Sequence, residues 1–500
     1  MNRILNFAIL NSAILLMLAS SALASDPLPR SAPEAQGVSS AKVLEFVEAA
    51  DAKAPQMNSF MLVRHGKVVA EGWWTPYNAE SRHELYSLSK SFTSTAVGLA
   101  IEEGKFKLDD KVTSFFPDDV PKDASDNLKA MTVRNILTMA AGHEKEAAVQ
   151  AKSQPWTKTF LEQPVTKKPG EHFMYNTPAT YMQSAIVQKT TGMTVLDYLK
   201  PRLFEPLGID DPTWGTSPQG VSFGGYGLNI RTEDIAKFGQ LYLQKGEWKG
   251  KQLVPKEWIA MATSKQVSNG NGGSNDWAQG YGFQFWMCRH GAYRGDGAFG
   301  QYCIVIPEKD AVIAITSGVK DMQGVMNLVW DKLLPALTDA KIEADVASQE
   351  KLTAKLKSLV VSHPKAAKPS DAALASMNRK YQFADNPQKV ESVALESSDG
   401  KSKSVLLKIN GSERRIECGE GDWKLTKVVL PGFNAEQPVA VSAAWTAADA
   451  FTTKICLYET PFISTMTLKF NGDEVTLDSE RNVSFGQTKS PTLIGKAATP

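Results

Sequence analysis

Two residues three apart could do chemistry. Ser87 and Lys90 lie in "LYSLSKSFTSTAVGLAIEEG", where a crowd of hydroxyls runs into an apolar helical pattern. A serine can attack a carbonyl if a neighbouring base takes its proton, and a lysine can be that base once its pKa is lowered. The spacing alone decides little, because Ser39, Ser317, Ser348, Ser362 and Ser398 also have Lys three places on. Context separates Ser87 from these. Leu88, Phe92, Ala96, Leu99 and Ala100 repeat at helical spacing, so the sequence predicts a buried helix over 87–103, stopped by Gly104. Ser87 then opens that helix, where unpaired N–H groups favour a developing alkoxide and can donate to an oxyanion. Lys90 lies one turn on, and desolvation there lowers its pKa. The competing reading is an N-cap serine followed by a solvated lysine.

A third residue is Tyr175, in "PGEHFMYNTPATYMQSAIVQ", placed in the loop before a helix that starts at Thr177-Pro178 and runs to Gly192. A phenol near a lysine ammonium is expected to have a depressed pKa and to relay protons. Otherwise Tyr175 is a packing residue.

At this point the chain resembles the penicillin-binding-protein-like serine hydrolases, a group close to class C β-lactamases and related esterases and peptidases. The marks are "YSLSKSFTSTAVGLAIEEGKFKLDDKV", "LTMAAGH", "PGEHFMYNT", "LFEPLGI" and "FGQYCIVIPEKDAVIAITSG", spread from about His65 to Leu337. The resemblance implies Ser87 as nucleophile, Lys90 as base and Tyr175 as proton relay, with neither metal nor organic cofactor. Thr177 stands where the family often has Asn, and Asn176 could supply the missing amide. The third motif, a basic residue, any residue, then Gly on an edge strand, is not legible in "GAYRGDGAFGQY". Aligning Phe299 puts Ala292 at the basic position. Shortening the loop puts Arg294-Gly295-Asp296 or Asp296-Gly297-Ala298 there. A backbone N–H near Gly297 is expected to be the second oxyanion donor.

The implied activity is acyl-enzyme hydrolysis of ester, amide or peptide carbonyls in a small-molecule or peptide substrate. One alternative is a β-lactamase or D,D-carboxypeptidase. Another is a non-catalytic binding or sensor protein on the same fold. A Ser-His-Asp hydrolase has no Gly-x-Ser-x-Gly elbow to support it, and His83 and His143 read as structural or rim residues.

Elements must position these groups. Five hundred residues, 42% of them hydrophobic, exceed one compact core. The net charge of +1 gives no basic excess for nucleic acid. "FAILNSAILLMLA" after Arg3, then Ala22-Leu23-Ala24, reads as a signal peptide cleaved after Ala24. Periplasmic or secreted export follows, with no later transmembrane segment. Residues 25–338 read as one α+β domain, an antiparallel sheet flanked by helices. It includes a hairpin around His65-Gly66, a helix from Thr132 to Gly142, strands from Tyr281 and a closing helix from Gly324. Residues 339–372 read as a helical segment and linker. Residues 373–500 read as a separable all-β unit, a small barrel or a sandwich. Cys288, Cys303, Cys418 and Cys456 are either paired within their regions or buried thiols, and spacing does not choose.

Overall fold

The computed structural model describes residues 26–146, 154–340, 342–397, 403–430 and 435–498. The leader read as a signal peptide lies outside them. Among the described residues no helix is long and apolar enough to cross a membrane.

A six-stranded antiparallel sheet forms the frame of the site. Its order is Lys67–Trp73, Met57–Arg64, Ala311–Ser317, Gln301–Ile306, Tyr293–Gly297 and Trp286–Met287. The central strands are buried along their whole length, because helices cover both faces. On one face Ser89–Glu102, Thr177–Thr191 and Thr232–Leu243 share a core with Met61, Val63, Val305 and Ala314. On the other, Ser40–Lys53, Met322–Leu328 and Val346–Lys357 pack over Phe60, Leu62, Ile304 and Ile313. The hairpin at His65-Gly66 forms as the sequence predicts.

Two predicted elements are shorter than their pattern. The helix capped by Thr132 runs only over Val133–Leu137; Met139 at φ 56° ends it well before Gly142. The strand pattern from Tyr281 is mostly loop, with only Trp286–Met287 in the sheet. The reason for the loop is Gln284, at φ 64°, whose amide is spent on the Leu137 and Ile136 carbonyls and the Thr180 hydroxyl.

The C-terminal strands curl into a nearly closed barrel rather than a sandwich. The path runs Ser412–Glu417, Lys403–Ile409, Val390–Ser397, Lys380–Phe383, Leu493–Ala497, Glu474–Arg481, Ile463–Asn471, Ala450–Cys456, Gln437–Trp445. Gly419–Glu420 and Lys424–Val428 both pair with that last strand, and the Lys424–Glu417 ion pair at 2.7 Å joins the two ends of the path. The barrel shares the sheet's second core through Ala440, Cys456 and Ile463. Glu84 N donates to Glu459 O at 2.9 Å, Tyr77 Oη to Thr460 O at 3.1 Å, and Asn482 Nδ2 to Gly318 O at 2.9 Å. All four cysteines are free, buried thiols.

Candidate functional site

The α-helix begins at Ser89, so Ser87 sits in the single 3₁₀ turn Tyr86–Leu88 just ahead of it. The helix is buried all round rather than on one stripe. Its hydroxyls are the reason this is tolerated: Ser91 donates to Gln284 O and Thr93 to Gly224 O, each at 2.8 Å, and Ser89 accepts from Leu228 N at 3.2 Å. The hydroxyl-rich start of the motif is thus a buried joint between the helix and the loops around it.

Lys90 is 1% exposed. Its Nζ lies 3.2 Å from Ser87 Oγ, 3.3 Å from Thr177 Oγ1 and 2.8 Å from Gly225 O. Burial pulls its pKa down to about 7, against the smaller upward pull of Glu146 and Asp296. A neutral amine has two N–H groups and one lone pair. Gly225 O can only accept, so the lone pair is left for one of the two hydroxyls, Ser87 or Thr177.

Tyr175 is stacked on Trp286 at 5.4 Å, meets Tyr281 edge-on at 6.4 Å, and carries Lys90 Nζ 5.0 Å from its ring centroid. The expected depression of its pKa does not occur. Burial, then Asp296, push the phenol above its usual range, and the downward pull of Ser87 and Arg294 is smaller. Tyr175 is therefore a neutral phenol that can pass a proton on.

The strand Tyr293–Gly297, whose last residues run past the two-residue edge strand Trp286–Met287, brings Gly297 against the Ser87 turn. A Cβ at Gly297 would fall 2.0 Å from Leu85 O and 3.1 Å from Ser87 N, so only glycine lets the strand approach this closely. Gly295, two residues earlier, faces Leu88 and Ser91, each 2.5 Å from where its Cβ would be. Arg294 and Asp296 alternate to the opposite face. Asp296 Oδ2 accepts from Arg294 Nε at 2.9 Å and forms an ion pair with Nη2 at 2.8 Å, and Arg294 Nη1 donates to Asp276 O at 2.9 Å and Cys288 Sγ at 3.0 Å. Arg294 is fully buried, 4.4 Å over the Trp277 ring. Burial raises the Asp296 pKa, and Arg294 works against the rise. Ala292 lies apart, in the core on the far face of the sheet.

Asn176 is buried and turned away from Lys90, with its Nδ2 3.4 Å from His143 Nδ1. Thr177 is the residue of the second motif that reaches Lys90. His143 and His83 are both buried, which holds each pKa down at about 4. Among the described residues no cluster of His, Cys, Asp and Glu could hold a metal ion.

Sequence reasoning missed four contributors. Gly225 supplies a carbonyl to Lys90, and its Cβ would fall 2.6 Å from Thr177 Cγ2; the Gly224-Gly225 pair between aromatics was the available signal. Glu146 caps the 177–191 helix, its Oε1 accepting from Thr177 N at 2.9 Å. Trp286 walls Tyr175. Tyr86 sits at φ 48° beside Ser87, ringed by Phe299, Phe462 and Phe485, and no local pattern announces it.

Known proteins are similar to part of the chain. The 6-aminohexanoate-dimer hydrolase of Paenarthrobacter ureafaciens is 25% identical over 290 residues, 53% of this chain and 73% of its own length. The beta-lactamase of Escherichia coli K12 is 25% identical over 232 residues, covering 42% of this chain and 58% of that protein. A solved structure from Bacillus anthracis, named for 6-aminohexanoate-dimer hydrolysis by resemblance, superposes with a TM-score of 0.51 at 21% identity, over 62% of this chain and 87% of that one. The beta-lactamase family model matches residues 47–328, more than half of the sequence, and the chain belongs to that family.

Proposed function

We propose that the chain is an exported serine hydrolase working through an acyl-enzyme on ester or amide carbonyls. The observation that carries this is the buried Lys90 amine 3.2 Å from Ser87 Oγ, with a pKa drawn to about 7. Ser87 gives its proton to the Lys90 lone pair as Oγ attacks the carbonyl carbon. The oxyanion forms between the Ser87 turn and the Gly297 edge, where one backbone donor contributes on the order of 3–4 kcal/mol to the transition state in other hydrolases. The Tyr175 hydroxyl hands a proton to the departing alcohol or amine. Tyr175, left without its proton, then takes one from water as it attacks the acyl-enzyme, and Lys90 returns the proton it holds to Ser87 as the acid leaves. The named activity of the Paenarthrobacter relative supports hydrolysis as the reaction class.

The substrate read from this site is neutral near the scissile bond. A β-lactam or a peptide C-terminus offers a carboxylate, and Arg294 is already held by Asp296 on one side and by Asp276 O and Cys288 on the other. Folded protein treated with a fluorophosphonate should carry one adduct, located on Ser87 by mass spectrometry and absent from Ser87→Ala. An adduct at another serine removes the assignment.

A further inference from the structure

Among the described residues the barrel holds a cavity, and a guanidinium with two unpartnered donors faces it. Leu407 and Arg414 are cross-strand partners, so their side chains leave the sheet on the same side. Leu407 and Ile416 lie in the barrel core. Arg414, two residues from Ile416, therefore points inward as well. Its neighbour Arg415 points outward and is satisfied by Glu396 at 2.6 Å and Ser404 Oγ at 2.8 Å. Arg414, half-buried as a residue, has nothing comparable among the described residues: its Nε and Nη1 are both buried without a hydrogen-bond partner there. Beside it is a cavity of about 450 Å³ walled by Val390, Leu407, Ile409, Ile416, Leu457 and Met466.

Buried guanidinium donors left without acceptors are costly, and natural proteins rarely leave them so. An anionic oxygen in the cavity would satisfy them, and charge-assisted bonds of this kind are the strong ones. The aliphatic walls call for an apolar chain attached to that anion, and the volume lies within the range of small-ligand sites. Arg481 lines the same cavity, its guanidinium 5.7 Å from the Phe462 ring. Glu480 is also at the rim, 3.5 Å from the Thr488 hydroxyl. Ser484, Gln487 and Thr488 are common to this cavity and to a groove of about 710 Å³ that begins at Ala298, one residue past Gly297.

We propose that the barrel interior is a binding site for one aliphatic carboxylate, with Arg414 holding the head group and the apolar walls holding the chain. The site stands on the barrel alone and does not depend on Ser87 being the nucleophile. Its place beside the Ala298 groove suits the retention of an acid released by ester hydrolysis.

Titration calorimetry on the full chain compares dodecanoate with dodecanol, two probes with the same chain and different heads. Dodecanoate should bind at one equivalent, roughly tenfold or more tighter than the alcohol, the ratio expected for a hydrogen bond to a charged group. Arg414→Leu should erase that ratio while leaving hydrolysis of a short ester unchanged, and Arg414→Lys should keep part of it. Ser87→Ala should bind dodecanoate as the wild type does, which separates this site from the catalytic reading. Equal affinity for the two probes in the wild type, or no saturable dodecanoate binding, overturns the proposal without recourse to any variant. So does an Arg414→Leu protein that is folded and keeps the full preference.

Discussion

The ring of Tyr86, the residue before Ser87, rests 5.7 Å from the ring of Phe485, which belongs to the barrel. Phe485 also packs 4.7 Å from Phe299, and Phe299 meets Tyr86 edge-on at 5.5 Å. Tyr86 is held at φ 48°, a left-handed conformation that costs a bulky residue on the order of 1–3 kcal/mol and needs its surroundings to enforce it. Phe485 is 77% exposed, so its contribution is this contact and not a core of its own. Phe485→Ala should slow acylation of Ser87 by roughly two- to tenfold, the range set by one aromatic pair, with little change in melting temperature. Single-turnover labelling with a fluorophosphonate gives the rate. An unchanged rate means that the barrel loop does not steady the Tyr86 turn.

The same boundary decides what truncation does. The linker around Pro364 reads in the sequence as a place to cut, leaving a folded hydrolase domain. The structure has Ala440, Cys456 and Ile463 of the barrel in one core with Ile313, Ile315 and Val319 of the sheet. Gly318 lies so close to Pro461 that a Cβ there would fall 2.3 Å from its carbonyl oxygen. Removing the barrel exposes that core and leaves the Glu84 and Tyr77 hydrogen bonds without acceptors. A chain ending at 364 should therefore melt at a markedly lower temperature than the full protein and bind a hydrophobic dye. A cooperative transition at the wild-type temperature would restore the barrel as a separable unit.

Lys90 gives a pH dependence with a definite sign. Its ordinary pKa of 10.5 falls to about 7 in the folded chain. Between these values the unfolded chain keeps a proton that the folded chain gives up, so stability from this group is complete above the unfolded value. It is lost as pH falls towards about 7 and is flat below that. Denaturant unfolding free energies should rise from pH 7 to pH 10, and Lys90→Met should remove that rise. kcat/KM should climb through an apparent pKa near 7 as the amine becomes neutral. The Met variant should lose about 10²–10⁴-fold in rate, the span of a general base. A wild-type profile flat from pH 6 to 9 would take the base role away from Lys90.

The parts of the site that could be read in advance are those whose neighbours lie close in sequence. Ser87 and Lys90 are one turn apart, and the apolar repeat after them predicts the burial of Lys90. The third motif resisted reading because its logic is steric. The sequence points to Gly297 only through the family resemblance; the Leu85 carbonyl that it must clear joins positions far apart in the chain. The barrel strands "KSVLLKI" and "DEVTLD" alternate as half-buried strands do, and both form. Closure of the barrel brings together distant residues such as Lys424 and Glu417, a pairing that no alternation encodes. The expected depression of the Tyr175 pKa fails for a related reason: the burial that raises it comes from Tyr281 and Trp286, far from Tyr175 in the chain.

Substrate charge is the sharpest remaining test, because the three competing residues have separate positions. Ala292 is in the far core, Arg294 is fully buried on Asp296, and Asp296 is 6% exposed beside Tyr175 and Lys90. A substrate carboxylate would have to displace Asp296 from Arg294 to gain a partner, leaving a second buried anion unpaired, and breaking such a pair costs about 3–5 kcal/mol. A methyl ester at the same place meets no such cost. For substrates matched except for a free or methylated carboxylate near the scissile bond, kcat/KM should favour the methylated form by tenfold or more, about 1.4 kcal/mol. Asp296→Asn should shrink that ratio by removing the competing anion and freeing Arg294. Preference for the free acid in the wild type, lost on Arg294→Ala, would instead make Arg294 the carboxylate anchor and return the chain to β-lactam or peptide C-terminus chemistry.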